Sequence, residues 1–157
     1  EVLCDIRSYP GSRKYPQFNS ESLEASLADA GIEYVWLGRK LGGFRKGVEG
    51  ADIHSAIKSA GFRSYVAHLL TDDGQAGIRE LADIAARRTT VCMCAERLPF
   101  RCHRWFLSDF LLLAGFCVVH IIDANTAREH RLSPLIRLDG DSPIYDRTPQ
   151  PKLDGLK

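Results

Sequence analysis

Thr89-Thr-Val-Cys-Met-Cys94, then Ala95-Glu-Arg-Leu-Pro-Phe-Arg-Cys-His-Arg104, then Trp105-Phe-Leu-Ser-Asp-Phe-Leu-Leu-Leu-Ala-Gly115 read as strand, loop and helix in succession. The first segment is rich in β-branched residues, and its alternation puts Val91 and Met93 on one face and Cys92 and Cys94 on the other. Trp105, Phe106, Phe110, Leu111 and Leu113 supply core candidates at helical spacing, and Gly115 stops the helix. Between strand and helix, residues 94–104 hold two thiols, one carboxylate, one imidazole and three guanidinium groups. In α/β proteins, the carboxyl end of a strand and the start of the next helix together form the usual place for a site.

Working outward, Val2–Ile6 reads as a first strand, left through the turn-rich segment Arg7–Pro16. Asn19 or Ser20 caps a helix carrying Leu23, Leu27 and Ala30, which ends at Gly31. Ile32–Leu37 is a second strand and Leu41–Asp52 a loop. Phe62, Val66, Leu69 and Leu70 mark a helix closed by Asp72-Asp-Gly74, and Ile78, Leu81, Ala82 and Ala85 mark another. Phe116–Ile122 is a fourth strand, and two short apolar runs around Asp139-Gly-Asp141 form a hairpin. Alternating strands and helices predict an α/β fold: a mostly parallel open sheet with helices on both faces and a short hairpin-like C-terminal tail. Residues 1–147 are expected to be one compact domain and 148–157 a loose tail.

The chain of 157 residues is 45% hydrophobic and 26% charged, enough for a full-sized core. Twenty-one basic against 20 acidic residues leave a net charge of +1, so any anion site must be local rather than a global field. No apolar run approaches the roughly 18 residues that span a bilayer, and no signal peptide is visible, so a cytoplasmic protein with no membrane partner is expected. Five cysteines, an odd number, fit reduced thiols better than a disulfide framework. Oligomeric state has no signature in the sequence.

Cys102 and His103 fall at a helix start, where unpaired N–H groups favour negative charge and lower a thiol pKa, and Arg97, Arg101 and Arg104 add to that. The alternative is a small buried cysteine beside a capping histidine. Glu96, just past the strand, is placed to act as an acid, base or nucleophile, or to pair with Arg97 or Arg104. Asp5 and Arg7 leave the first strand on one face, and the turn then presents Ser12, Arg13 and Lys14 near Tyr15 and Phe18. Arginines at strand ends suit phosphate or carboxylate recognition. Arg39-Lys40 and Arg45-Lys46 flank Gly42-Gly43 with no acidic residue between Tyr34 and Val48, the composition of a basic lid or of an ordinary solvated loop. His120 and His130 are further candidates for the same edge.

Three assignments fail on spacing. Cys94-Ala-Glu96 echoes zinc cytidine deaminases but lacks their second Pro-Cys-x-x-Cys segment. Zinc on Cys92 or Cys94 with Cys102 and His103 is conceivable without matching a standard ligand spacing. No arginine stands six positions after Cys92, Cys94 or Cys102, which excludes the phosphatase cradle, and no Cys-x-x-Cys suggests a thioredoxin-like pair.

Asp5-Ile-Arg7, Pro10, Ser12-Arg13, Pro16, Phe18, Gly31-Ile32, Tyr34, Leu41-Gly-Gly43, Cys94-Ala-Glu96, Pro99, Cys102-His-Arg104, His120-Ile121 and His130-Arg-Leu132 together resemble the DUF488 family, in order and along nearly the whole chain. The resemblance implies a compact cytoplasmic α/β domain and no settled reaction. It also implies an additional strand and helix ahead of Asp5-Ile-Arg7, with a Thr-Ile-Gly-His-Ser-like motif that is not in this sequence.

These readings lead to an enzyme acting on a phosphate-bearing substrate such as a nucleotide or nucleic acid, by hydrolysis or glycosidic-bond chemistry. Glu96, Cys102, His103 and Asp5 are its catalytic candidates. Arg7, Ser12, Arg13, Arg45, Arg104, His120 and His130 are the candidates for binding the anion. No cofactor is required. The alternatives are a non-catalytic nucleotide or nucleic-acid binder, a metal-binding protein with zinc on Cys94, Cys102 and His103, and a purely structural polar cluster.

Overall fold

A computed structural model describes residues 1–147; the proposed loose tail, 148–157, lies outside the described residues. Three short parallel strands form the sheet: β1 (Val2–Asp5), β2 (Glu33–Trp36) and β3 (Thr90–Met93), in the order β2-β1-β3. Cys4 is in register with Val35 on one side and with Cys92 on the other. The first crossover runs from the central strand to the β2 edge and the second runs back from β2 past β1 to β3, so right-handed connections put their helices on opposite faces.

The first crossover holds α1 (Ser20–Asp29), which buries only Leu23 and ends at Gly31, where φ is +72°. Asn19 stands at its N-cap, but its side chain accepts from Ser12 N (2.6 Å) instead of capping the helix. The second crossover holds α2 (Gly38–Leu41), α3 (Ala60–Leu69) and α4 (Asp72–Ala85). The short α2 fills the gap between the expected second strand and the expected loop, reaching only the loop's first residue, Leu41. Asp72-Asp-Gly74 does not close α3 but opens α4. Thr71 accepts from Gly74 N at 3.2 Å, and two carboxylates in the first turn suit the positive end of the helix dipole.

After β3 the chain forms a single 3-10 turn at Pro99–Arg101 and enters α5 (Arg104–Leu113). Leu107, Phe110 and Leu111 of α5 join Val2, Cys4, Ile6, Leu41, Tyr65, Val66, Leu69 and Leu81 in one core. Leu113, expected inside, is 38% exposed. The same core takes in Ile136 and Tyr145 from the C-terminal region, so both ends of the described chain belong to one mixed α/β domain.

The expected fourth parallel strand does not join the sheet. β4 (Val119–Asp123) pairs antiparallel with β5 (Thr126–Glu129), because the connection after Asp123 is too short for a crossover and can only form a hairpin. The hairpin expected around Asp139-Gly-Asp141 is present as β6 (Ile136–Asp139) and β7 (Ser142–Tyr145), turning at Gly140 with φ +58°. The parallel sheet is therefore small, and two antiparallel hairpins complete the domain.

Candidate functional site

The carboxyl ends of β1 and β3 meet the head of α5. Asp5 and Arg7 are buried there and engaged with each other: Arg7 donates from Nε and Nη2 to the Asp5 carboxylate (2.9 and 2.5 Å). Tyr34 Oη donates to the same carboxylate at 2.8 Å, and Arg7 Nη2 also reaches Phe18 O at 2.9 Å. The hydrogen bond to Asp5 holds the Arg7 pKa up, and burial followed by the Asp5 bond raises that of Tyr34. This pair fastens the Arg7–Asn19 turn to the strand end.

Other arginine and serine candidates are also occupied within the protein. Ser12 Oγ accepts from Tyr15 N within the turn, and Arg45 donates to Gly42 O and Arg39 O, which holds the glycine segment in shape. Arg13 is exposed on the same turn. Arg104 binds the Glu96 carbonyl through Nη2, so the motif loop is tied down by backbone contact rather than by a Glu96–Arg104 ion pair. The Glu96 carboxylate is exposed and has no hydrogen bond or ion pair among the described residues.

Two groups of reactive side chains remain. In the first, His103 Nδ1 is 3.6 Å from Cys102 Sγ and 3.8 Å from Cys94 Sγ, while its Nε2 faces Ile6 O at 3.2 Å. A carbonyl only accepts, so Nε2 carries the proton and Nδ1 turns its lone pair to the sulfurs. Arg104 points its backbone N–H and its Nε at Cys102 Sγ, both at 3.4 Å. The hydrogen bond from Cys94 lowers the Cys102 pKa against the opposing effect of burial, and the same bond, with burial, raises that of Cys94. Of the two, Cys102 is the sulfur biased toward ionisation, and the Arg104 N–H groups face it rather than Cys94. Burial instead pushes Cys4 up to about 11 and Cys92 up to about 12, which makes both inert.

Leu41-Gly-Gly43 closes this group from above. A Cβ on Gly43 would stand 2.6 Å from His103 Nδ1, and one on Gly42 would stand 2.2 Å from Ser8 Oγ. Any side chain at either position would drive the loop off the first strand's exit and off His103. The exit of the first strand and the head of α5 therefore lie side by side, joined by His103 Nε2 to Ile6 O and by the glycine segment that touches both Ser8 and His103.

In the second group, Asp109 of α5 is fully buried and accepts from Ser133 N (2.8 Å), His130 Nε2 (3.0 Å) and Tyr145 Oη (2.9 Å). With the His130 proton on Nε2, its Nδ1 accepts from His120 Nε2 at 2.8 Å. The His120 ring stacks on Trp105 at 5.4 Å and 14°. His120 Nδ1 is left with a lone pair, no partner among the described residues, and contact with solvent. Burial, then the neighbouring His130 and Arg104, lower the His120 pKa, so the ring is neutral at pH 7.

His120 and Pro99 wall two adjoining hollows. One, of about 500 Å³, runs along the free edge of β3 and carries Arg104, Ser108 and Cys92. The other, of about 300 Å³, carries Phe100, Trp105 and Arg128. His120 and His130 are thus brought together, but with Asp109 rather than Glu96. Asp109 and Tyr145 are absent from the sequence-level candidates. The usable signal was an aspartate set inside the apolar run Trp105–Leu113, where a charge without a partner is too costly to bury.

The fold and its site define a mixed α/β domain whose thiols, imidazoles and arginines gather where a small parallel sheet hands over to one helix. The chain belongs to the DUF488 family, described as a domain of unknown function, whose model matches residues 1–111. That span holds the sheet, the first four helices and nearly all of α5; His120, His130 and Tyr145 lie beyond it. No curated protein and no solved structure matches the chain. Among the described residues no helix is long and apolar enough to cross a membrane.

Proposed function

We propose that the protein is an enzyme acting on a phosphate-bearing substrate, a nucleotide or a nucleic-acid end, at the paired hollows on either side of His120. The observation that carries this reading is the Asp109–His130–His120 chain. It presents an unprotonated imidazole nitrogen where a hollow containing Arg104 meets one containing Phe100, Trp105 and Arg128.

Each part has a matching task. Arg104 and Arg128 supply positive charge for a phosphate, and the exposed Phe100 ring offers a face on which a base can stack. His120 takes a proton from an attacking water or hydroxyl, and His130 and Asp109 fix its tautomer and stabilise the imidazolium that results. Glu96 lines neither hollow, but Arg104 holds its carbonyl beside the first, and its exposed carboxylate is the acceptor we assign to a substrate hydroxyl reaching out of that hollow. Hydrolysis, including cleavage of a glycosidic bond, needs only such a base and a positioned substrate.

The test incubates the protein with the nucleoside 5′-monophosphates and with short single-stranded DNA and RNA, and follows products by chromatography and binding by calorimetry. His120→Gln should cut turnover by roughly 10²–10⁴ with binding retained, the usual range for loss of a general base. Glu96→Gln should act mainly on KM. If turnover survives His120→Gln unchanged, the base is assigned wrongly. If these probes bind in a strongly salt-dependent way and are never turned over, the protein is a binder and not an enzyme.

A further inference from the structure

We infer that Cys94, Cys102 and His103 form a zinc-binding site with one coordination position left for an exogenous ligand. The site is separate from the hollows beside His120, because none of the three residues lines either of them.

The geometry carries the inference. A tetrahedral zinc with Zn–S of about 2.3 Å and Zn–N of about 2.0–2.1 Å holds its ligand atoms roughly 3.5–3.8 Å apart. The two sulfur-to-Nδ1 distances here are 3.6 and 3.8 Å, and all three donor atoms lie within 4.8 Å of one another. Both sulfur-to-nitrogen edges already have tetrahedral length and the sulfur-to-sulfur edge lies within 4.8 Å, so an ion can enter with a small movement of the thiols.

The surroundings match as well. A histidine that ligates a metal through one nitrogen donates from the other to a carbonyl or carboxylate, which fixes the tautomer. His103 Nε2 does this to Ile6 O, so Nδ1 faces the thiols as a lone pair and not as an N–H. Arg104 provides two N–H groups to Cys102 Sγ, the usual partners of a metal-bound thiolate. Two soft sulfurs and an imidazole select zinc over magnesium or calcium. The two thiolates neutralise the dication, so the occupied site adds no net charge to the crevice.

Cys102 and His103 are buried and Cys94 is half-buried. Access is therefore from the Cys94 side. Among the described residues no fourth protein group completes the cluster, and three protein ligands with an open position is the arrangement of reactive zinc sites. Cys4 and Cys92, though in register on neighbouring strands, have no histidine with them, and Cys117 is exposed and alone.

The full chain, purified under a phosphine reductant without chelator, should carry about one zinc per molecule by elemental mass spectrometry. Apo protein titrated with Co²⁺ should develop thiolate-to-cobalt charge-transfer absorption and the visible bands of tetrahedral cobalt. Cys94→Ser and His103→Ala should each weaken binding by more than the roughly 10–100-fold that loss of an outer partner costs, while Cys117→Ser leaves it unchanged. Should the variants fail to fold, the wild type still decides: bound zinc should protect two of the five thiols from a chromogenic thiol reagent and leave Cys117 reactive. Reduced protein that takes up neither Zn²⁺ nor Co²⁺ overturns the assignment. So does a Cys94–Cys102 disulfide found by peptide mapping in protein that stays metal-free after reduction, since the pair would then serve redox chemistry.

Discussion

One histidine cluster sits at the head of α5 and the other is anchored on its middle, and they use the same side chain in opposite ways. At the head, a backbone carbonyl holds the outer nitrogen of His103, and the free lone pair turns inward to two sulfurs. In the middle, the Asp109 carboxylate holds His130, whose lone pair meets His120, and the chain ends on a nitrogen that faces outward. The first arrangement suits holding something in place, and the second suits moving a proton. Which role an imidazole takes is set by the group on its far side. The clusters also differ in their relation to the family: the head cluster lies wholly within the matched residues 1–111, whereas the relay takes only Asp109 from that span.

The comparison is tested most severely at Asp109. Asp109→Ala leaves the Ser133 N–H, the His130 Nε2–H and the Tyr145 hydroxyl buried without their acceptor. We expect a loss of about 3–5 kcal/mol in urea unfolding, the range for breaking one side of a buried charged network. If the loss is under about 1 kcal/mol, the three donors have found other partners and the relay is not a fixed structure.

The matching test at the helix head is Gly43→Ala. The new methyl group would stand 2.6 Å from His103 Nδ1, so either the loop or the ring must shift. An overpacking cost of about 1–3 kcal/mol is expected. Metal uptake should weaken with it, while Asp109-dependent stability is unchanged. Equal effects of Gly43→Ala on both clusters would mean that they are one unit and not two.

Much of the head cluster could be read in the sequence because its parts are close in the chain. Cys94, Cys102 and His103 fall within ten residues, and a strand end followed by a helix start leaves little choice about where they go. The relay was hidden for the opposite reason. Its side chains come from positions 109, 120, 130 and 145, and only the folding of two antiparallel hairpins over α5 brings them together. The first of those hairpins was also where the fold reading went wrong: Phe116–Ile122 has the composition of a parallel core strand and follows α5, yet β4 pairs with β5 and not with the sheet. Asp5 and Arg7 were placed correctly at the strand end, yet no spacing rule shows that they pair with each other and with Tyr34 instead of facing a ligand.

Acid should destabilise the fold through histidines that burial keeps neutral, of which His120 ends the relay. Burial is the main cause of the lowered pKa of His54, His68 and His120. Each is held below its ordinary value near 6.5, so below that pH the unfolded chain binds more protons than the folded one. Stability therefore rises with pH through this window and falls on acidification, as thermal unfolding between pH 5 and 7.5 should show. His120→Gln removes one of the three contributors and should flatten the slope. A slope unaffected by that change would mean that the outward-facing ring is not the group being titrated.

The smallest effect expected is also the sharpest control on the thiols. Cys117 lies just ahead of β4 on the rim of the larger hollow, is exposed, and has no hydrogen bond among the described residues. Cys102 is buried, contacts His103 and two N–H groups of Arg104, and has its pKa lowered by Cys94. Cys117→Ser should change stability by no more than about 0.5 kcal/mol, as surface substitutions away from special features do. In a thiol-modification time course on metal-free protein it should remove one phase and leave the others unchanged. The phase that persists to low pH should belong to Cys102, because a thiolate held by neighbouring donors stays deprotonated where a free thiol does not. If that acid-resistant phase disappears with Cys117 and not with Cys102, the hydrogen bonds at the head of α5 are not what sets thiol reactivity in this protein.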